Sequence, residues 1–246
     1  MDALSAAETL DLCEACEGLA PVERSLALAC GGSRLAVDEI AALPLGRRDA
    51  WVLELHGALG GGTLEATVPC AACGEEDEFE LEPDALLARA RERGERARVE
   101  AEGCVVAWRP PDSRDVAAAG EQGSAEAAER VLLSRCVVHA TGPAGEEVAG
   151  DELPPGTREA LAAAMLASDP LAEVLVALVC PACEAAFTAE LDVSAFVWSR
   201  LRARGQRLLG ETHVLARAYG WTQAEVLALG DRRRHAYLEL IAQERG

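Results

Sequence analysis

Cys70 and Cys73 in Val68-Pro69-Cys70-Ala71-Ala72-Cys73-Gly74, with Cys180 and Cys183 in Leu178-Val179-Cys180-Pro181-Ala182-Cys183-Glu184, are the residues best placed by type and spacing to do chemistry. A C-x-x-C turn between two strands aims backbone N–H groups at the sulfurs and holds both thiolates on one side of a tight loop. Two such turns brought together supply four soft ligands at tetrahedral positions, the donor set of one structural zinc ion. The pairs stand 110 residues apart, whereas ordinary zinc ribbons separate their pairs by roughly 15 to 20. A shared site therefore requires two hairpins that meet as a pseudo-symmetric pair around a long insertion. Two other readings stay open: reduced cysteines at two unconnected turns, and a redox dithiol. No strand-to-helix thioredoxin setting follows either pair, which disfavours the last.

The elements that must position these sulfurs repeat with them. Leu64 to Val68 alternates before the first pair and Val174 to Val179 precedes the second; Phe79 to Glu82 and Phe187 to Asp192 follow. At the offset of 110, Glu80 matches Glu190, Leu81 matches Leu191, Glu82 matches Asp192 and Ala85 matches Ala195. Each unit reads as strand, turn, strand, helix. The expected class is α+β. It comprises an N-terminal helical region (1–62), a first zinc-knuckle hairpin and helix (63–94), a small α/β insertion (95–170), a second hairpin (171–192) and C-terminal helices (193–246).

Within that frame, Ser5 to Glu8 is a capping box, Pro21 opens a second helix, a short third begins at Asp38, and Leu45 to Leu59 is a fourth. Cys13 and Cys16 share a face of the first helix and, with Cys30, offer three sulfurs but no fourth ligand; packing explains them more simply. Pro83 to Arg93 reads as a solvated helix. In the insertion, Cys104 to Trp108 and Cys136 to Ala140 read as strands that hold Cys104 and Cys136 as core residues. Ser124 to Leu133 and Pro155 to Ala167 read as helices. Val193 to Tyr219 is a long helix, Thr222 to Glu225 a capping box, and Arg232 to Gln243 a last helix capped by Asp231.

The chain has 246 residues, half of them hydrophobic, so it can bury a core. Its 42 acidic against 23 basic residues give a charge of −19 that repels phosphate backbones. Nine cysteines, an odd number in a chain of this length starting Met1-Asp2-Ala3 without a signal sequence, point to a reducing cytoplasm rather than a disulfide framework. No apolar run reaches the ~18 residues of a membrane span. The terminal helix, turn, helix outline raises DNA binding. Arg232, Arg233 and Arg234 offer phosphate contacts, but Ala236, Tyr237, Leu238, Leu240 and Ile241 behind them are too apolar for a groove.

The segment Phe196-Val197-Trp198, with Leu208, Leu209, Glu211, His213, Leu215, Ala216, Tyr219-Gly220-Trp221-Thr222, Glu225-Val226-Leu227, Leu229, Arg232-Arg233-Arg234 and Tyr237-Leu238, resembles T4-like phage baseplate proteins. More narrowly, it resembles the baseplate hub assembly chaperones of contractile tail and extracellular contractile injection clusters. Trp108-Arg109-Pro110-Pro111, Cys136-Val137-Val138 and the doubled C-x-x-C frame fit the same family, and the resemblance runs over roughly residues 40 to 243. It implies assembly of a baseplate or hub without catalysis, with baseplate or hub proteins as partners. Glu184 departs from the glycine expected after the second pair, a position that often needs positive φ, while Gly74 keeps it in the first.

Arginine and aromatic side chains dominate binding hot spots. Tyr219, Trp221 and Tyr237, beside Arg232 to Arg234, concentrate scarce aromatics (4% of the chain) at one corner and form the expected partner surface. The simpler reading is that they pin the corner. Catalysis finds little support: His56, His139, His213 and His235 are scattered, no nucleophile, phosphate-loop or H-E-x-x-H pattern occurs, and His213 reads as a core or cap partner. The alternative function is a cytoplasmic zinc-ribbon regulator that contacts nucleic acid through the terminal helices.

Overall fold

The computed structural model describes residues 3–33, 35–91 and 97–244. Four helices open the chain: α1 (Ala6–Cys16), α2 (Pro21–Gly31), α3 (Val37–Ala41) and α4 (Leu45–Ala58). The Ser5 hydroxyl accepts from the Glu8 N–H while the Glu8 carboxylate accepts from the Ser5 N–H, which satisfies two orphan donors at the start of α1. Then come β1 (Leu64–Pro69), β2 (Glu76–Leu81) and α5 (Pro83–Arg91). The expected end of α5 at Arg93 lies outside the described residues.

The insertion holds β3 (Arg98–Ala101), β4 (Cys104–Trp108), α6 (Ser113–Gly120), α7 (Ala125–Cys136), β5 (Val137–Thr141) and α8 (Pro155–Ser168). Its three strands form an antiparallel sheet in the order β3-β4-β5. One expectation changes here, and one element is new. Cys136 ends α7 instead of lying in a strand, and α6 occupies a stretch to which the sequence reading assigns no element. Asp112 caps α6, accepting from Arg114 and Asp115 N–H groups, and Asp115 closes a capping box back onto Asp112. Asp115 has no exposed side-chain surface, yet Arg109 grips it bidentately and Arg135 adds a third bond. Burial pushes its carboxyl up, but Arg109, the Asp112 N–H and Arg135 together outweigh it and hold the group well below the usual carboxylate range.

The second hairpin, β6 (Leu175–Val179) and β7 (Ala186–Glu190), leads into α9 (Val193–Tyr219), α10 (Gln223–Leu227) and α11 (Asp231–Glu244). The register repeats at the offset of 110: Glu65↔Glu80, Thr67↔Glu78 and Pro69↔Glu76 in one hairpin answer Leu175↔Glu190, Ala177↔Thr188 and Val179↔Ala186 in the other. The helix after each hairpin also begins at that offset, at Pro83 and Val193. α9 stops where Gly220 takes the left-handed cap at φ 69°.

One hydrophobic core joins the N-terminal helices, both hairpin units and the first half of α9: Leu28 of α2, Val52 and Leu55 of α4, Leu64 of β1, Leu86 of α5, and Val197 and Leu201 of α9, with Leu171 and Val174 leading into β6. The end of α9 packs with α10 and α11 in a separate cluster around Leu215, Val226 and Ile241. The insertion keeps its own core of Cys104, Val106, Trp108, Leu133, Ala140, Leu153 and Leu161. Polar seams tie it to the rest. The Asp169 carboxylate accepts the Gly46 N–H at 2.8 Å, and Arg48 donates to the Ser113 hydroxyl at 3.2 Å.

Candidate metal centre

Two turns of identical construction hold the four predicted ligands. In the first, the Cys70 N–H donates to Glu75 O at 2.8 Å and the Gly74 N–H to Cys70 O at 2.9 Å. In the second, the Cys180 N–H donates to Ala185 O at 3.0 Å and the Glu184 N–H to Cys180 O at 2.9 Å. Both turns require the left-handed region at the residue after the second cysteine. Gly74 enters it at φ 76° without cost, and Glu184 at φ 59° carries a Cβ there. The departure from glycine thus leaves the turn geometry intact.

The hairpins face each other across these turns. Cys70 Sγ stands 3.8 Å from Cys183 Sγ, Cys73 Sγ stands 3.6 Å from Cys180 Sγ, and all four sulfurs lie within 4.8 Å of one another. A tetrahedron of sulfurs about 2.3 Å from a central ion has edges of about 3.8 Å. The four cysteines therefore form a site able to hold a metal ion. The separations are far beyond a bonded sulfur pair, and all nine cysteines are free thiols. In each turn the first cysteine is buried and the second exposed, so each close pair joins a buried sulfur of one hairpin to an exposed sulfur of the other.

The electrostatics suit a cation. The N–H groups of Cys73 and Ala72 point at the Cys70 sulfur and bring its thiol down to about 7. At Cys73 the Glu75 N–H pulls downward, but the neighbouring sulfurs of Cys183 and Cys180 outweigh it and raise the thiol to about 12. Without an ion the cluster keeps protons because adjacent thiolates repel. A dication removes that obstacle and lets the remaining sulfurs ionise.

The other cysteines do not assemble a comparable group among the described residues. Cys13 donates to Leu201 O at 3.2 Å, Cys16 is fully buried, and burial raises the Cys16 thiol to about 11.

The expected partner corner is brought together, with one correction. Tyr219 stacks on Trp221 at 4.7 Å between ring centroids, and Tyr237 meets both edge-on at 5.5 and 4.9 Å. Trp221 and Tyr237 pack on the buried Leu215, Val226 and Ile241, so the rings do pin the corner, while Tyr219 remains 38% exposed. Arg232 and Arg233 are exposed. Arg234 is not a surface residue: only 2% exposed, it donates Nε to Glu211 at 2.9 Å and also binds Asp231 and Leu229 O. From the first turn of α11 its side chain reaches back to α9, and a buried guanidinium is stable there only because carboxylates meet it. Glu211 enters the sequence reading only as part of the resembling segment; its place between Leu208 and Leu215 on the buried face of α9 is the signal that marks it as a carboxylate needing a buried partner.

The histidines are dispersed. His56 is buried with Nε2 2.9 Å from Gly62 O, whereas His139 and His213 are exposed, which corrects the core or cap role expected of His213. His235, also exposed, is the imidazole near Glu211, at 3.8 Å. No described helix is long and apolar enough to cross a membrane. Comparison with protein-family models, with curated proteins and with solved structures yields no match to this chain.

Proposed function

We propose that this chain is a zinc-stabilised assembly factor or structural component of the baseplate or hub of a contractile phage-tail-like system. The observation that carries the first half is the cluster of four sulfurs, all within 4.8 Å, contributed by hairpins 110 residues apart in sequence. Four thiolates in a tetrahedron favour zinc among available divalent ions. They also leave no coordination position for water, so the ion staples and does not catalyse. The second half rests on the resemblance of the residues from Phe196 to Leu238 to baseplate hub assembly chaperones. Tyr219, Trp221, Arg232 and Arg233 remain the residues at that corner available to a baseplate or hub partner, in a reducing cytoplasm or on the particle.

The regulator reading is weakened by the fate of Arg234. With that guanidinium committed to Glu211 and Asp231, two of the three expected phosphate contacts remain, on a chain of charge −19. Two measurements test the proposal separately. Elemental analysis of the purified chain is expected to give one zinc per chain; none, or two, overturns the shared site. Deleting the gene from its host is expected to abolish sheathed particles in electron micrographs, with rescue by the wild type and weak rescue by Tyr219→Ala/Trp221→Ala. Normal particles from the deletion strain overturn the assembly role.

A further inference from the structure

Because the chain contains the hairpin twice, each copy serves as a control for the other. The outward positions of the first are Glu65, Thr67 and Pro69 on β1 with Glu76, Glu78 and Glu80 on β2, all exposed. The same positions in the second are Leu175, Ala177 and Val179 on β6 with Ala186, Thr188 and Glu190 on β7, also exposed. Register, turn and sulfur placement are the same, so this backbone does not need apolar residues on its outer face. Yet Leu175 is 50% and Val179 65% exposed. Apolar groups held in water where the sister unit carries glutamate, threonine and proline are surplus to the fold, and such surplus marks an interaction surface.

Two further features define the occupant. β6 and β7 form a two-stranded sheet, so each strand has one edge without a strand neighbour among the described residues. The first hairpin blunts its edges with Pro69 and a row of glutamates, the usual protection against added strands. The second keeps only Glu190 of that row and no strand proline, which favours an extended segment that adds backbone hydrogen bonds and alternate side chains. Charge then selects among extended segments. Glu190 sits on the face itself opposite Leu175, and the exposed Glu184 closes its turn end. On a chain of charge −19 a second copy would bring the same sign to the same frame.

We propose that the outer face and open edge of the second hairpin bind an extended segment of a partner protein, with alternating apolar residues and lysine or arginine at its ends. The proposal rests on the two hairpins alone and stands apart from the baseplate reading and from the identity of the metal.

The test uses the full chain and a fluorescent synthetic peptide of alternating valine and threonine with paired lysines at both ends. Fluorescence anisotropy is expected to show saturable binding in the micromolar range. A peptide with glutamate in place of lysine, and one interrupted by a central proline, are each expected to bind about tenfold or more weaker. The decisive variant writes the first hairpin onto the second: Leu175→Glu, Ala177→Thr, Val179→Pro, Ala186→Glu and Thr188→Glu. The sister unit already folds with those residues, so metal content and circular dichroism should be kept while peptide binding falls about tenfold or more. Should that variant fail to fold, Leu175→Glu alone must weaken binding. No saturable binding, equal binding of the glutamate-ended peptide, or undiminished binding by a folded variant overturns the proposal. A wild-type dimer in sedimentation that the variant abolishes also overturns it, because the occupant is then a second copy.

Discussion

Cys13-Glu14-Ala15-Cys16 and Cys70-Ala71-Ala72-Cys73 share a spacing and meet opposite fates. On α1 the first pair points into packing: Cys13 lies against α9, where a Cβ on Gly205 would fall 2.6 Å from its sulfur, and Cys16 is enclosed in the main core. Burial raises both thiols. In the knuckle turn the same spacing aims N–H groups at Cys70 and lowers its thiol. What decides is the backbone between the cysteines and what stands opposite. A helical C-x-x-C without a facing pair is a packing element, while a turn facing its twin is a site able to hold a cation.

The largest effect should come from removing a ligand of the shared site. Cys70→Ser and Cys180→Ser are each expected to lose the metal and, with it, folding free energy on the order of 10 kcal/mol or more, since structural zinc binding is coupled to folding. Equal loss at both is the signature, read by metal content and thermal unfolding. If one variant kept its metal, the hairpins would not share an ion and the contrast with α1 would collapse. Acidification acts in the same direction, because protons compete for the sulfurs, so metal retention should fall as pH falls.

Next in size is Arg234→Ala, which strands Glu211 in a buried position and is expected to cost about 3–5 kcal/mol in denaturant unfolding. Metal content should not change, which separates loss of stability from loss of the site. Arg232→Ala, on the exposed side of the same turn, should stay within about 0.5 kcal/mol. A large loss at Arg232 would return that residue to a structural role.

The helical pair should give a smaller effect. Cys13→Ala/Cys16→Ala is expected to cost about 1–3 kcal/mol through lost packing and to leave the metal content at the wild-type value. Any drop in metal would show that spacing alone had misled and that α1 contributes to the site.

Much of this organisation was written in local patterns. The long helix runs over the span its periodicity indicated, Val193 to Tyr219, because Asp192 caps it and Gly220 ends it. The hairpins were visible because period-two alternation and a cysteine turn recur together. What stayed hidden depended on distant partners. α6 is short, and its Asp112 and Asp115 cap gains weight only once Arg109 and Arg135 converge on Asp115. Arg234 reads as one of three surface arginines until Glu211, on another helix, is known to lie opposite. The outer face of the second hairpin required register: Leu175 and Val179 are ordinary strand residues until aligned with Glu65 and Pro69.

A further small effect compares the two knuckles directly. Gly74 and Glu184 occupy the same left-handed position, at φ 76° and 59°, but only Glu184 has a Cβ to crowd the carbonyl beside it. Holding a non-glycine residue there costs about 1–2 kcal/mol. Glu184→Gly should recover about 1 kcal/mol of it, part of the gain being offset by the greater freedom of glycine in the unfolded chain. Gly74→Ala should lose a similar amount, and both variants should keep the metal. If Glu184→Gly were instead destabilising, the Glu184 side chain must contribute something at the rim of the turn that outweighs backbone strain. The two hairpins would then differ at the metal site itself as well as on their outer faces.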